Sequence, residues 1–511
     1  MNLLDRMIAA VAPSRALSRV RSRVALNILR QTTAHYDSAT SGRRGQSWRA
    51  SPTDADAAAG RRARLAYIAR DMVRNTPFAF RAQQCIAANV VGDGIIPKVI
   101  DLPAEDSTGA REIRARALRL IEQHLDTTAI DADGRQNLYG LQRLVMNTVV
   151  DSGEALIVRV EADDLSLPLP FQLRVMEPDH LDVGMDGRIS PEGHYVHEGI
   201  AYDDRARRVG YYLYDEHPGS NSWRMGPVSR VRSRFVPADR VLHIYRQDRP
   251  GQMRGVSWFA GVALNLQDLG DYQDAQIMRQ KLAACFTAFR KVGADGGARA
   301  DEEIGATLSP GLIQDLGPDE DIVFADPPEV SGYEEFTRAV LRSVAAGMGI
   351  TYEALSGDLS NVNFSSARMG RNEMERIITG WQKLMLIPQM LDPIGRWFLQ
   401  FWAMRYPRDA AAIEGARVTW TTPHHILVDP TREIPALRDA VRAGFVSWQD
   451  VIRQLGEDPE RVIEEHIQDR EVADRNGLVF DSDARNSVSL ATRPPDDPAP
   501  ADRQQGRGNN A

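Results

Sequence analysis

His194 and His197 stand three residues apart, a spacing at which two imidazoles can share one divalent metal, but they fall in a turn-rich stretch with no helix to aim both at one point. An exposed loop pair is the expected reading. His424 and His425 are adjacent and follow Pro423 after a strand, so their side chains should diverge. Serine, histidine and aspartate are all available for a hydrolase triad, yet no Gly-x-Ser-x-Gly elbow exists to present a nucleophile. The carboxylates of Glu334 and Glu335 are better explained as the acidic start of a helix. No Gly-Lys dipeptide occurs, so a Walker-type phosphate loop and an ATP motor are not expected. Gly92-Asp93-Gly94 reads as a turn, because no later glycine completes a phosphate-binding fingerprint. Cys85 and Cys285 are far apart and outside any ligand motif, and are expected to be buried, inert thiols. Neither a metal site nor a cofactor is expected.

The segment from Tyr333 to Gln382 could act without covalent chemistry. Ser331 and Glu334 have capping-box spacing, and Phe336, Val340, Leu341 and Val344 form an apolar stripe that ends at Gly347 and Gly349. A polar loop follows, Ser356 to Ser366. A longer helix then repeats apolar residues at Met374, Ile377, Ile378, Trp381, Leu384 and Met385, with kinks expected at Pro388 and Pro393. A loop between two helical arms suits a lid or a contact surface. Upstream, a helix over Asn265 to Lys291 carries Asp268, Asp271 and Asp274 early and Arg279, Lys281, Arg290 and Lys291 late, a polarity that suits its dipole. Between these helices, Leu312 to Leu316 and Ile322 to Phe324 are expected to pair across Gly317 to Asp321.

The rest of the chain reads as an α+β body. Helices are expected at Arg61 to Arg74, Pro77 to Asn89, Ser107 to Asp126 and Leu138 to Ser152. Strands are expected at Ile95 to Ile100, Ala155 to Glu161, Phe171 to Glu177, Arg208 to Tyr214, Val241 to Tyr245 and Arg417 to Thr421. Three short helices close it, Pro430 to Ala443, Ser447 to Leu455 and Pro459 to Asn476, before a polar, Pro-rich tail expected to be disordered. A length of 511 residues allows two or more domains, and 43% hydrophobic with 26% charged residues is ordinary for a folded protein. Without an apolar run of membrane length or a secretory leader, the expected compartment is the cytoplasm. The net charge of −8 disfavours a protein that coats nucleic acid tightly. The first 75 residues are nevertheless basic, with an amphipathic helix over Ser14 to Leu29 read as a surface helix, and the stretch from Glu457 to Asp502 is rich in acids.

Several blocks, taken in order, resemble the lambda-type family of tailed-phage portal proteins. They are Arg70 to Pro77, Asn89 to Ile95, Glu177 to Asp182, His217 to Gly219, Val236 to His243 and Arg249 to Trp258 leading to Asp268 to Tyr272. Gly347 to Asp358 with Asn363 to Arg368 is the strongest. The resemblance runs from about Asp71 to Asn476 and implies an α+β portal fold with wing, helical stem, small β clip and helical crown. The implied division is a basic arm (1–60), wing (61–264), stem helix (265–291), clip (292–332), second stem helix (333–348), tunnel loop (349–366), long kinked helix with the rest of the wing (367–428), crown (429–480) and tail (481–511). Within it Gly357, Asp358, Leu359, Ser360, Asn361, Val362, Asn363, Phe364 and Ser365 would face DNA. Asp268, Asp271, Asp274, Arg279 and Lys281 would line the stem, and Asp315, Asp319, Glu320 and Asp321 would lie in the clip.

The resemblance further implies a dodecameric ring at one capsid vertex, through which double-stranded DNA passes without sequence readout during packaging and ejection. Its implied partners are the large terminase subunit, head-completion and adaptor proteins, and major capsid and scaffold proteins, with no membrane. The subunit would be assembled in the host bacterial cytoplasm and end in the virion. The competing expectation is a head-assembly enzyme, a metal-dependent nuclease or protease using His194, His197 or His424.

Overall fold

The computed structural model describes residues 52–56, 59–103, 108–162, 166–190, 193–220, 232–285, 289–292, 320–323, 332–360, 364–423, 429–457 and 459–478, with Ser14, Ser18, Arg21, Ser22, Asp164 and Val362. The chain divides into two units, Met1–Ala57 and Ala58–Ala511. In the first, Ser14, Ser18, Arg21 and Ser22 are helical, and Ser22 Oγ donates to Ser18 O at 2.9 Å. The remainder of the expected amphipathic helix, the tail from 479 onward, His424, His425, Asp315 and Asp319 lie outside the described residues.

The second unit opens with α1 (Arg62–Asn75) and α2 (Pro77–Val91), joined at Thr76. Pro77 takes the first turn of α2, where its missing N–H is no loss. Strand β1 (Ile96–Ile100) precedes α3 (Thr108–Leu120), which runs on through π-helical turns at Ile121–Leu125, and then α4 (Leu138–Ser152). Asn137 caps α4 by accepting the Gly140 N–H at 2.9 Å, and left-handed Gly153 ends it. The strands β2 (Glu154–Glu161), β3 (Phe171–Met176), β4 (Tyr195–His197), β5 (Ile200–Tyr202), β6 (Arg208–Leu213), β7 (Arg234–Pro237) and β8 (Val241–Tyr245) come after it. They form two antiparallel sheets, ordered β3-β2-β8 and β4-β5-β6-β7.

Helix α5 (Ala263–Cys285), the paired strands β9 (Phe289–Val292) and β10 (Glu320–Val323), α6 (Tyr333–Met348), α7 (Tyr352–Ser356) and α8 (Phe364–Trp381) come next. α8 continues through π-helical turns at Gln382–Leu391 into α9 (Asp392–Arg405). Pro388 explains the widened turns: it lacks the N–H that an α-helical turn would use and clashes with the preceding carbonyl. Helix α10 (Ala410–Ile413), strand β11 (Arg417–Thr421), which pairs antiparallel with β1, and helices α11 (Pro430–Arg442), α12 (Trp448–Gln454) and α13 (Pro459–Asn476) complete the chain.

One large core joins α2, α4, β2 and α9. Ile86, Val90, Val145, Val149, Ile157, Phe398 and Trp402 are buried in it, and Phe171 stacks on Phe401 at 4.9 Å. Cys85 is buried there, in line with its reading as an inert thiol. His124, on the π-helical turns, is buried with its ring 4.9 Å from Phe171, and burial lowers its pKa to about 4 from 6.5. The unfolded chain therefore binds a proton that the folded chain refuses, so stability falls as pH drops from 6.5 towards 4. Denaturant titrations of the His124→Phe variant should lose about 3 kcal/mol of that acid sensitivity relative to the parent.

Several expectations need correction. Sequence patterning missed β4, β5 and β7, because strands of three or four residues are too short to show a period. β4 and β5 are joined by a tight turn at Glu198 (φ 46°) and Gly199 (φ 84°), so His197 sits on a strand and not in an irregular loop. The long helix ends at Cys285. Arg290 and Lys291 belong to β9, and the last helical turn carries no basic residue. β10 pairs with β9, a pairing the sequence reading did not include; the expected partner, Leu312 to Leu316, lies outside the described residues. The capping box at Ser331 is not what starts α6: its N-cap is left-handed Gly332, without a side-chain cap, and Ser331 lies outside the described residues.

Candidate functional site

The two arms meet where α5, α6, α7 and α8 converge. α5 spans about 34 Å at 1.5 Å per residue. It is seated by Ser257, whose side chain accepts the Phe259 N–H at 3.2 Å in the turn ahead of it. Leu266 and Leu269 are buried, and Tyr272 stacks on Tyr333 (5.9 Å) and packs on Phe336 (4.5 Å) of α6. Asn265 donates to Ser343 Oγ and Gln273 to Tyr333 Oη, both at 3.3 Å, which fixes the antiparallel register of the pair.

α6 ends on left-handed Gly349, and the Ile350 N–H returns to Ala345 O at 3.0 Å. Trp381 of α8 covers this corner: a Cβ on Gly349 would lie 3.2 Å from its ring. Trp381 also packs on Trp258 at 4.6 Å. Thr351 caps the short α7 by accepting the Ala354 N–H at 3.2 Å, and Arg81 Nε of α2 donates to Ala354 O at 3.1 Å. The loop root is thus held from three sides.

Gly357 (φ 74°) turns the chain out of α7, with open space around it. Asp358 organises the turn beyond it. Its carboxylate accepts from the Ser360 N–H (3.0 Å) and hydroxyl (2.5 Å) and from Tyr352 Oη (3.2 Å), and its own N–H donates to Ser356 Oγ at 3.1 Å. The Ser360 hydrogen bonds hold the Asp358 carboxyl below the usual carboxylate range. Leu359 is 69% exposed at the tip. The polar stretch expected from Ser356 to Ser366 is therefore shorter than read: Phe364 and Ser365 already belong to α8, while Asn361 and Asn363 lie outside the described residues. Of the other expected residues, Asp268, Asp271, Asp274 and Lys281 are exposed on α5, Arg279 is half-buried, and Glu320 and Asp321 lie on β10.

Sequence reasoning missed a group of side chains that could hold a metal: Glu177, Asp179 and His217 place three ligand atoms within 4.8 Å of one another. Their surroundings argue against an ion. Arg70 already pairs with Asp179 and lies 3.4 Å from Glu177. His217 Nδ1 accepts the Gly219 N–H at 3.0 Å, so the neutral ring carries its proton on Nε2, 3.3 Å from Glu177, where a metal would need a lone pair. Zinc or manganese titrated into the purified protein should show no stoichiometric binding by calorimetry. His197 Nδ1 contacts Asp186 at 3.1 Å and the His194 backbone N–H donates to Ser190 Oγ at 3.2 Å; among the described residues neither histidine belongs to a group of three ligand atoms close enough to share a metal.

A buried ionic cluster ties the body behind the arms. Glu154 on β2 accepts from Arg254 (2.8 Å from Nε), His243 Nε2 (2.8 Å) and the Gly255 N–H (2.8 Å). Arg254 also reaches Glu198 Oε2 at 3.3 Å, and Glu198 pairs with Arg62 of α1. Burial disfavours the Glu154 anion, but the Arg254 charge and the His243 hydrogen bond outweigh it and hold the carboxyl well below its ordinary range. Gly153 and Gly255 permit the close approach, since a Cβ on Gly255 would lie 2.1 Å from Gly153 O.

A helical pair and a short hydrogen-bonded loop, rooted in an α+β body by buried ion pairs, make a scaffold that presents a loop for contact. The chain belongs to the lambda family of phage portal proteins, which matches residues 41–382. "Probable portal protein" of Halomonas phage phiHAP-1 is 24% identical over 419 residues, spanning 78% of this chain and 79% of the relative. "Portal protein B" of Escherichia phage lambda is 22% identical over 448 residues, spanning 78% and 82%. Among solved structures, a chain of "Virion of native gene transfer agent (GTA) particle" is similar with TM-score 0.45 at 16% identity, covering 77% of this chain and 94% of that one. A chain of "Neck of native GTA particle computed with C12 symmetry" gives TM-score 0.43 at 16% identity, covering 76% and 94%.

Proposed function

We propose that this chain is the subunit of a twelve-membered ring at one capsid vertex, the conduit for double-stranded DNA during packaging and ejection. Membership of the portal family carries the reading. α5 and α6 are the stem, β9 and β10 the base of the clip, α11 to α13 the crown, and the sheets with α1 to α4 and α9 the wing. The loop from Gly357 to the start of α8 is the channel constriction, where Leu359, Ser360 and Val362 meet the duplex. Asn361, Asn363, Phe364 and Ser365 belong to the same DNA-facing set.

Electrostatics suit a wall that does not grip. Twelve copies at −8 carry roughly −96, facing a duplex with one negative charge per about 1.7 Å. Asp268, Asp271, Asp274 and Lys281 supply the exposed stem surface, with half-buried Arg279 beside them. Successive members of the acidic set are three residues apart, so they wind around α5 by about 60° per step and present a broad face instead of one acidic line. The terminase large subunit and the head-completion proteins dock at the clip, around Asp315, Asp319, Glu320 and Asp321, and capsid and scaffold proteins surround the wing. Assembly takes place in the bacterial cytoplasm, with the virion as destination.

Mass photometry and negative-stain imaging of the purified full chain test this. Rings of twelve are expected; a monomer at every salt concentration would rule the conduit out.

A further inference from the structure

A cavity of about 450 Å³ opens where β6 of one sheet, β8 of the other and the π-helical turns at Pro388 and Gln389 meet. Arg208, Tyr211 and His243 line it, and no aspartate or glutamate does. His243 also belongs to the buried ionic cluster of Glu154, so the cavity and the cluster share a wall. The charges across this region do not balance. Arg62, Arg254 and Arg208 supply three cations and Glu154 and Glu198 two anions, while burial and the neighbouring Arg254 and Arg208 charges keep His243 neutral. The surplus is the Arg208 guanidinium, which is exposed and has no carboxylate partner among the described residues.

The polar groups of the wall have capacity left over. Arg208 donates from Nη1 to Tyr211 Oη at 3.2 Å, which commits one of its five N–H groups. Tyr211, only 2% exposed, accepts that bond and keeps its own O–H to give. His243 Nε2 donates to Glu154 at 2.8 Å, so the neutral ring leaves Nδ1 as an acceptor, and that atom is buried without a hydrogen-bond partner. Gln389 Oε1 is taken by the Tyr245 N–H at 2.9 Å, which leaves the amide NH2 as a donor on the cavity wall. Donors for an acid group thus stand beside an acceptor for a hydroxyl.

We infer that this cavity binds a phosphorylated sugar, free or as part of a mononucleotide, with its phosphate on Arg208 and the Tyr211 hydroxyl and a sugar hydroxyl donating to His243 Nδ1. A guanidinium fork and a phenol O–H offer at least three donors, which matches the three terminal oxygens of a phosphate ester better than the two of a carboxylate. The volume lies within the range of small-molecule sites, about 300–1,000 Å³. A bare phosphate ion would leave most of it empty and would supply no partner for Nδ1. The site uses only the sheets and the turns around Pro388, so it does not depend on the conduit reading.

The test is calorimetric titration of the full chain at constant ionic strength with ribose 5-phosphate, ribose, inorganic phosphate and adenosine 5′-monophosphate. Ribose 5-phosphate should bind once per chain, at least about tenfold tighter than inorganic phosphate, and ribose should give no heat. Tighter binding of the nucleotide than of ribose 5-phosphate assigns the ligand to mononucleotides; weaker binding assigns it to the free sugar phosphate. Arg208→Gln should weaken binding at least about tenfold, the effect of roughly 1.4 kcal/mol, without lowering the melting midpoint. Tyr211→Phe should weaken it about threefold to tenfold. Arg205→Gln, an exposed arginine in the preceding turn, should change nothing. Absence of ribose 5-phosphate binding at about 1 mM, equal affinity for inorganic phosphate, or undiminished affinity in a folded Arg208→Gln chain would overturn the assignment.

Discussion

Replacing residues 357–363 with a Gly-Ser linker is expected to leave rings of parental mass but particles nearly devoid of retained DNA. The separation of the two effects comes from where the loop is fixed. Thr351 caps α7, Arg81 holds its Ala354 carbonyl, and Trp381 closes over Gly349, all outside the replaced stretch. The arms should therefore keep their geometry. The Asp358 hub and the exposed Leu359 disappear. A flexible linker costs more entropy to hold in a constriction than a loop already ordered by four hydrogen bonds. Packaging assays with complementation of a portal-deficient phage, scored by full-to-empty particle ratio, check this; normal filling and retention would remove the role assigned to the loop. Asp358→Ala is a milder probe and should give an intermediate ratio.

Glu154→Gln should be the most damaging single substitution in the body. Its carboxylate receives donors from Arg254, His243 and Gly255 at once, all buried. A neutral amide offers one acceptor oxygen and turns an NH2 group towards these donors, leaving the Arg254 charge dependent on Glu198. Breaking a buried pair in this way costs about 3–5 kcal/mol, against a total that for most domains is about 5–15 kcal/mol. Little soluble protein, or a large fall in denaturation midpoint, is expected; an unchanged midpoint would show the cluster to be dispensable. The acid response has a defined sign. Because the Glu154 carboxyl is held below its ordinary value, its contribution is complete above pH 4.5 and is lost as pH falls through the lowered folded-state pKa. The His124 effect runs in the same direction from pH 6.5 downward, so the chain should be acid-labile twice over.

Long periodic elements were legible in the sequence because one buried face repeats many times. The helix beginning at Leu138 and the strand ending at Tyr245 match their expected bounds, and Ser447, the expected start of its helix, caps it by accepting the Asp450 N–H at 3.0 Å. Ends were read poorly where charge imitated a helix terminus, as with Arg290 and Lys291. Those cations belong to a strand in which they pair with Asp321 and Ile322, far along the chain, and no local signal reveals such a pairing. The Glu154 cluster was invisible for a similar reason: its members come from five separate elements and turns, and only Gly153 and Gly255 hinted at a close approach. For the loop, polarity gave the position but not the end: Phe364 and Ser365 already belong to the following helix, and a polar run carries no marker of where that helix begins.

The widened turns around Pro388 also bear on a sheet edge. β8 is the outer strand of its sheet, and the Tyr245 N–H points away from β2 to be taken by Gln389 Oε1 at 2.9 Å. An outer strand with open N–H and C=O groups is a template for edge-to-edge aggregation. Here the proline that spoils a regular helix also brings a glutamine against that edge. The irregularity thus acts as a guard rail, closing a sheet border from within the same chain.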